Sequence, residues 1–334
     1  MNAIMKTVPP DFSLVIPSYN EEESLQELYD RITAVMAGMK KSYEIIFVDD
    51  GSTDGSGRLI EELHRKDERV KLIQFMHNYG KSAALAAGFR VARGTFVVTM
   101  DSDLQDDPGE IPQLLAKLET GYDLVSGWKK VRHDPFIKRW TSKIYNYFTS
   151  RFSGIRLHDF NCGLKIYRRE VVKTMQVYGE LHRYLPVIAH RNGFRVTEIP
   201  VTHHARKYGS SKFGIARFAR GAFDLMTISF LTRYRMRPLH LFGVLGFLFF
   251  LGGFVITILL TWQRIFENRF LSNRPLLFLG VLLIIVGIQF FSIGLLGEMI
   301  TSLRKESDYF LVRRCLGCQD IFPQEAADEA HFTA

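Results

Sequence analysis

Phe96-Val97-Val98-Thr99-Met100-Asp101-Ser102-Asp103-Leu104-Gln105 is the stretch that decides the fold. Its first five residues are apolar or β-branched and predict a buried strand. Two carboxylates, one residue apart, follow at once. In an open α/β sheet, ligands collect in the crevice beyond the carboxyl ends of the strands. Oxygen ligands placed there suit Mg²⁺ or Mn²⁺, ions usually shared with substrate phosphates. Taken alone, such a pair is more often an acidic turn after a core strand, so its neighbours must decide. Asp107-Pro108-Gly109-Glu110 then reads as a helix start, with Asp107 as N-cap and Pro108 at the first helical position.

Upstream, three more strands are predicted. Phe12 to Ile16 is followed by Pro17-Ser18-Tyr19-Asn20-Glu21, with Asn20 placed to cap a helix running to about Met39. Tyr43 to Val48 ends at Asp49-Asp50-Gly51-Ser52-Thr53-Asp54, where Asp54 is a candidate N-cap. Val70 to Phe75 leads through Asn78-Tyr79-Gly80-Lys81-Ser82 into an alanine-rich helix. Four strands alternating with four helices predict a parallel sheet with helices on both faces. Aspartates recur at two strand ends, Asp49/Asp50 and Asp101/Asp103, which solvated turns do not explain. No glycine-rich phosphate fingerprint is present, so a metal and basic side chains must neutralise any bound diphosphate.

Downstream, Tyr122 to Ser126, Leu164 to Tyr167 and Phe194 to Val201 read as further strands, and Tyr178 opens a helix to about Arg191. A helix from about Lys138 to Phe152 carries an aromatic stripe, Trp140, Phe148 and Phe152, between basic residues. That pattern fits either the membrane interface or an ordinary core. The segment Thr202-His203-His204-Ala205-Arg206-Lys207-Tyr208-Gly209-Ser210-Ser211-Lys212 has the cations and small residues to grip a diphosphate. His203 and His204 are metal ligands or polar packing.

The formal net charge is +8, with 43 Lys and Arg against 35 Asp and Glu. The excess gathers between Lys129 and Arg237, beside apolar runs. This points to anionic lipid or a phosphorylated substrate and not to nucleic acid, since no recognition module is present. Leu239 to Trp262 contains no formal charge and exceeds the roughly 20 residues that a bilayer requires. Pro275 to Leu296 is a second such run, and the pair predicts a transmembrane hairpin. Arg233, Arg235, Arg237, Arg304 and Lys305 flank it on one side, which places both termini and the sheet in the cytoplasm of an inner or plasma membrane protein. Three cysteines fit a reducing compartment, and the Cys315-x-x-Cys318 spacing reads as incidental.

These stretches together resemble the family 2 glycosyltransferases of the GT-A fold, and among them the polyprenyl-phosphate glycosyltransferases. The resemblance rests on Ile16-Pro17-Ser18-Tyr19-Asn20-Glu21, Val48 to Asp54, Asn78-Tyr79-Gly80-Lys81, Asp101 to Gln105 and Arg206 to Lys212, spanning about residues 12–215. It implies a Rossmann-like, mainly parallel α/β sheet with a C-terminal two-helix transmembrane hairpin. It implies that Pro17, Tyr19 and Glu21 hold the base and ribose, with Asp50 on the base side. Asp101 would touch ribose or sugar, Asp103 and Gln105 would ligate Mg²⁺ or Mn²⁺, and Arg206 and Lys212 would neutralise the leaving diphosphate. The family's Gly-Ser-Arg after the fifth strand is here Ser126-Gly127-Trp128, so Arg132, with Arg139 or Lys143 as alternatives, is expected to meet the acceptor phosphate. Glu180 orients a sugar hydroxyl or caps its helix.

The implied reaction is inverting transfer of a hexose from a UDP- or GDP-sugar to undecaprenyl or dolichyl phosphate in the bilayer, yielding a lipid phosphosugar for the cell envelope. The expected domains are a catalytic domain over 1–212, an amphipathic juxtamembrane segment over 213–238, the hairpin over 239–300 and a tail over 301–334. Two spans also leave surface for a homo-oligomer. The rivals are a processive polysaccharide synthase and a non-catalytic membrane-tethered scaffold. Against the first, only His182-Arg183-Tyr184 stands where a Q-x-x-R-W motif would be expected.

Overall fold

The computed structural model describes residues 9–130, 150, 154–175, 177, 181–204, 207, 238–267, 275–303, 310–318 and 321. It divides into two compact units, Met1–Gly221 with Asp308–Ala334, and Ala222–Ser307.

The first unit opens as the alternation predicts. Strands β1 (Phe12–Ser18), β2 (Tyr43–Asp49), β3 (Val70–Phe75) and β4 (Phe96–Thr99) are separated by helices α1 (Glu22–Met39), α2 (Ser56–Lys66) and α3 (Lys81–Val91), and α4 (Ile111–Glu119) follows. Side chains on a strand alternate between faces. Leu14 and Ile16 therefore pack with α1, through Leu25, Leu28 and Ile32, while Val15 packs on the opposite face with the alanines of α3. Each of the fully buried α1 side chains contributes on the order of 1.5–3 kcal/mol by leaving water.

β1 pairs in parallel with both β2 and β4. The chain thus winds outward through β2 and β3, then returns to the other side of β1. The crevice that opens at such a reversal is where an α/β sheet binds its ligand. Ser102 Oγ donates to Pro17 O across it at 3.1 Å.

Beyond β4 the mainly parallel sheet takes in antiparallel strands. β5 (Leu124–Lys129), β6 (Lys165–Arg168) and β7 (Val196–Val201) complete one side, with α5 (Arg169–Lys173) and α6 (Leu185–Arg191) between the last two strands. β6 inserts antiparallel between β4 and β5, and β7 runs parallel to β5. An antiparallel insertion needs no crossover helix. The strand order is β7-β5-β6-β4-β1-β2-β3-β8 in one mixed sheet.

The last strand, β8 (Val312–Leu316), lies in the segment expected to be only a tail, yet it pairs antiparallel with β3. Cys315 and Cys318 are joined as a disulfide, and both are buried against β3. Their spacing is therefore not incidental. Periodicity does not announce this strand, because Val312-Arg313-Arg314-Cys315-Leu316 is short and carries two arginines. Charged side chains suit the edge strand of a sheet.

Two helix starts differ from expectation. α1 has Glu21 at its N-cap position, and Asn20, at φ 56°, uses its side-chain oxygen to accept from Thr53 N at 2.8 Å. α2 begins at Ser56, whose N–H donates to Asp54 Oδ1 at 2.9 Å. Asp107 caps its turn as predicted, accepting from Gly109 N at 2.8 Å.

The second unit consists of α7 (Pro238–Phe266) and α8 (Pro275–Leu303). Phe242–Phe266 and Pro275–Gly297 are long and apolar enough to cross a bilayer. They are not core helices of a water-soluble domain, since Phe247 and Phe278 are 62% and 74% exposed. The two pack closely where Gly246 and Gly253 meet Gly287 and Gly280. Apart from Ser150, the helix expected over Lys138–Phe152 lies outside the described residues, as does the amphipathic segment Phe213–Leu231.

Candidate active site

The site forms at the carboxyl ends of β1, β2 and β4. The loops after β1 and β2 are laced together: Asn20 N donates to Ser52 Oγ at 2.9 Å and Glu21 N to Ser56 Oγ at 3.0 Å. This fixes Pro17, Tyr19 and Glu21 beside one another, with Tyr19 36% exposed at the rim.

Asp49 and Asp50 divide their roles because adjacent residues face opposite ways. Asp49 is structural, accepting from Ser52 N and Gln74 Nε2. Asp50 accepts from Tyr79 N at 2.7 Å and Gly80 N at 2.9 Å. Burial pushes the Asp50 carboxyl up to about 6, although both amide donors pull it down. Gly51 permits this packing. It has φ +71°, and a Cβ there would come within 2.5 Å of the His77 carbonyl carbon.

The loop after β4 carries the acidic pair, with Leu104 held at φ 60° between Asp103 and Gln105. Asp103 Oδ1 accepts from Gln105 N at 3.2 Å. Asp101 points into the crevice and pairs with Lys81 at the start of α3. Desolvation raises the Asp101 carboxyl, but Lys81 and Lys129 outweigh it and hold the group well below the usual carboxylate range. Asp106 is almost fully buried; it accepts from Asp101 N at 3.2 Å and pairs with Lys129 Nζ at 3.2 Å. Desolvation alone would lower Lys129, but Asp106 and Asp101 raise it, so it stays charged. Gly163 closes the back of this loop. A Cβ there would lie 2.6 Å from Asp106 Oδ2 and 2.7 Å from Asp101 Cγ.

A small cavity beside Asp101 is lined by Lys81, Asn161, Lys165 and His182. His182 N donates to Ser82 Oγ at 3.1 Å, and the same hydroxyl is hydrogen-bonded to His182 Nδ1 at 3.0 Å. Burial, reinforced by the Lys81 charge, holds His182 well below its ordinary value, so it is neutral near pH 7.

The strand leading to the cationic loop runs against the acidic one. His203 bridges Asp106, His204 N donates to Gln105 O at 2.9 Å, and Thr202 N donates to Glu110 Oε1 at 3.0 Å. His204 Nε2 is engaged by Asp107 at 3.1 Å. Lys207 Nζ reaches Glu27 at 2.7 Å.

The structure therefore brings Pro17, Tyr19, Glu21, Asp50, Asp101, Asp103 and Gln105 to one sheet edge. Arg206, Lys212, Arg132, Arg139, Lys143 and Glu180 lie outside the described residues. Sequence reasoning assigned no role to Lys81, Asp106 or His182. Lys81 ended a quoted motif, Asp106 was one acidic residue in a run of them, and His182 owes its neutral state to burial and to Lys81, distant in sequence.

A metal fits this edge through oxygen donors. Asp103 and Gln105 supply two, which suits an ion completed by water and substrate phosphate. Among the described residues no group of three or more His, Cys, Asp or Glu forms a self-sufficient metal site.

Residues 13–175 match the family described as "Glycosyl transferase family 2". A dodecaprenyl-phosphate galacturonate synthase of Rhizobium johnstonii is 38% identical over 295 residues, 87% of each chain. The chain belongs to glycosyltransferase family 2. An undecaprenyl-phosphate 4-deoxy-4-formamido-L-arabinose transferase of Pseudomonas fluorescens is 36% identical, covering 96% of this chain and 95% of the relative. Among solved structures, glucosyl-3-phosphoglycerate synthase of Mycobacterium tuberculosis, in complex with Mn²⁺, UDP and its product, superposes with a TM-score of 0.52. It is 19% identical and covers 67% of this chain and 80% of its own. The mannosyltransferase PcManGT of Pyrobaculum calidifontis, in complex with GDP-Man and Mn²⁺, has a TM-score of 0.50 at 16% identity, covering 90% and 77%. These two show a shared GT-A fold. The protein is a glycosyltransferase, and the resemblance drawn from its motifs is borne out.

Proposed function

We propose that this glycosyltransferase moves a sugar from a nucleoside diphosphate to a polyprenyl phosphate in the membrane, inverting the anomeric centre. One observation carries the reading. Asp101, the carboxylate that lines the cavity, is paired with Lys81 and held well below the usual carboxylate range, which makes it a weak base. A nucleophile that arrives already ionised suits such a site, and a phosphate monoester does so near neutral pH. A sugar hydroxyl, the acceptor of a polysaccharide synthase, would require deprotonation. The named acceptors of the two curated relatives, dodecaprenyl and undecaprenyl phosphate, support the same class.

In this reading a phosphate oxygen attacks the anomeric carbon, with the acceptor phosphate assigned to Arg132, or to Arg139 or Lys143. The bond from that carbon to the diphosphate breaks, and the nucleoside diphosphate departs. Asp103 and Gln105 would hold Mg²⁺ or Mn²⁺, which when bound neutralises diphosphate charge. Arg206 and Lys212 are assigned to the same leaving group. Their loop follows His204, which is bonded to the carbonyl of Gln105. Asp50, Pro17, Tyr19 and Glu21 hold the nucleoside, and His182, which lines the cavity beside Asp101, faces the sugar.

The two apolar helices anchor the enzyme in a membrane. After α8 the chain returns to the sheet it left, as β8, which supports a hairpin with both ends on one side. The arginine flanks assign that side to the cytoplasm.

Detergent-purified protein with undecaprenyl phosphate, Mg²⁺ or Mn²⁺ and radiolabelled UDP- and GDP-sugars, including uronates and amino-pentoses, tests the reading. Label passing into the organic phase is expected. Polymer formation, or no transfer from any donor, would overturn it.

A further inference from the structure

The strand that follows the membrane helices touches the loop that carries the nucleotide-side contacts. Past a bulge at Gln74/Phe75, the β3–β8 pairing continues as Met76 N donates to Leu311 O at 3.0 Å. Leu311 N in turn donates to the phenolic oxygen of Tyr79 at 3.1 Å. Phe310 stacks on Phe75 with ring centroids 4.9 Å apart, and Phe75 meets the Tyr79 ring edge-on at 5.6 Å. His77 packs on the other side of Tyr79 at 4.0 Å.

Tyr79 is thus held by its hydroxyl from the far end of the chain, while its ring rests on Phe75, on which Phe310 stacks in turn. Its own amide and that of Gly80 are the donors that fix Asp50. Lys81, the next residue, starts α3 and pairs with Asp101. One short loop therefore sets a group on the nucleoside side and a group at the sugar side. Two of its contacts come from Leu311, and Phe310 stacks on Phe75 at its start; both residues lie just beyond the second membrane helix in sequence.

We propose that the Phe310–Leu316 segment is a working part of the donor site, with Tyr79 as the positioning residue that transmits its docking to Asp50 and Lys81. The inference rests on the nucleotide-sugar reading above. A chain whose post-membrane segment is undocked keeps its catalytic residues but presents a loosened 76–81 loop, so donor binding weakens before acceptor binding does. The arrangement makes donor affinity depend on residues synthesised only after the membrane pair.

The test uses the full chain in detergent micelles and two variants. Tyr79→Phe keeps the ring packing and removes the oxygen that accepts from Leu311. Phe310→Ala removes the stack on Phe75. Calorimetric titration with UDP and with GDP, each with Mn²⁺, should show about a three- to tenfold loss of affinity for Tyr79→Phe, the scale of one hydrogen bond. KM for undecaprenyl phosphate should be unchanged. Hydrogen exchange of the 76–84 peptide, read without nucleotide, should quicken in both variants while β1 and β2 stay protected. Unchanged affinity and unchanged exchange in Tyr79→Phe would overturn the proposal, even if Phe310→Ala fails to fold. Equal loss of donor and acceptor affinity would overturn it too, since that marks general damage. Wild-type protein that binds neither nucleotide defeats the transferase reading itself, and the inference with it, whereas binding by the wild type with intact variants defeats the inference alone.

Discussion

Lys129 at the end of β5 reaches Asp106, Nζ to Oδ1, at 3.2 Å. The pair is nearly closed to solvent, with side-chain exposures of 15% and 2%. The other oxygen of Asp106 accepts from the amide of Asp101, so the ion pair braces the acidic loop from behind. Removing one partner of such a pair strands a buried charge and costs about 3–5 kcal/mol. Lys129→Met should therefore lower the thermal unfolding temperature and, by loosening the acidic loop, depress turnover. Lys129→Arg should restore most of both. Unaltered melting and kinetics in Lys129→Met would remove the residue from the site.

Asp103→Asn should reduce turnover by about 10²-fold or more, the scale seen when a preorganised charge-stabilising group is lost. Its folded structure should survive, because the side-chain amide oxygen of the variant can still accept from Gln105 N. Transfer rates across a Mn²⁺ titration, together with circular dichroism, separate lost metal affinity from lost fold.

Gly163→Ala should depress activity by about tenfold or more with only modest loss of stability. The added methyl meets Asp101 Cγ and Asp106 Oδ2 at 2.7 and 2.6 Å and must push the acidic loop toward the crevice. Small-to-large changes in packed sites cost about 1–3 kcal/mol. Steady-state kinetics beside a denaturant melt would check the split between rate and stability.

Asp50 gives a pH dependence whose sign is fixed. Burial sets its folded pKa at about 6, above the roughly 3.9 of an unfolded chain. The folded state holds the proton more tightly, so this group's contribution to stability is present in full below about pH 4 and is lost as pH rises through 6. Nucleotide binding should run the other way. Protonation removes the negative charge that accepts from Tyr79 and Gly80, so affinity should fall as pH drops from about 7 through 6. Calorimetry from about pH 5 to 8 should show this inflection in the wild type and none in Asp50→Asn.

Truncation after Arg237 should not yield a sound catalytic domain, because it removes β8 as well as the helix pair. The uncovered edge of β3 would offer unpaired backbone groups, and Phe75 would lose its Phe310 neighbour, a route to aggregation. Replacing residues 239–303 by a flexible Gly/Ser linker, with 310–321 retained, should give soluble protein. Size-exclusion profiles of the two would distinguish them.

Residue periodicity alone determined the alternating first half, the apolar helix pair and the strand-end aspartates. Those signals are local: a buried strand, a helix cap and a membrane span each declare themselves within a few residues of chain. The motifs placed Pro17, Tyr19, Glu21, Asp50, Asp101, Asp103 and Gln105 at one edge, and the fold gathers them there. Tertiary structure alone decided the antiparallel insertion of β6, the return of β8, and the partners of Asp101, Asp106 and His182. Pairings such as Lys81 with Asp101, Asp106 with Lys129 and Ser82 with His182 join residues far apart in sequence. Their charge states follow from burial and neighbours, which a linear pattern does not contain. A short strand holding two arginines looks like a tail until the exposed edge of β3 supplies its hydrogen bonds.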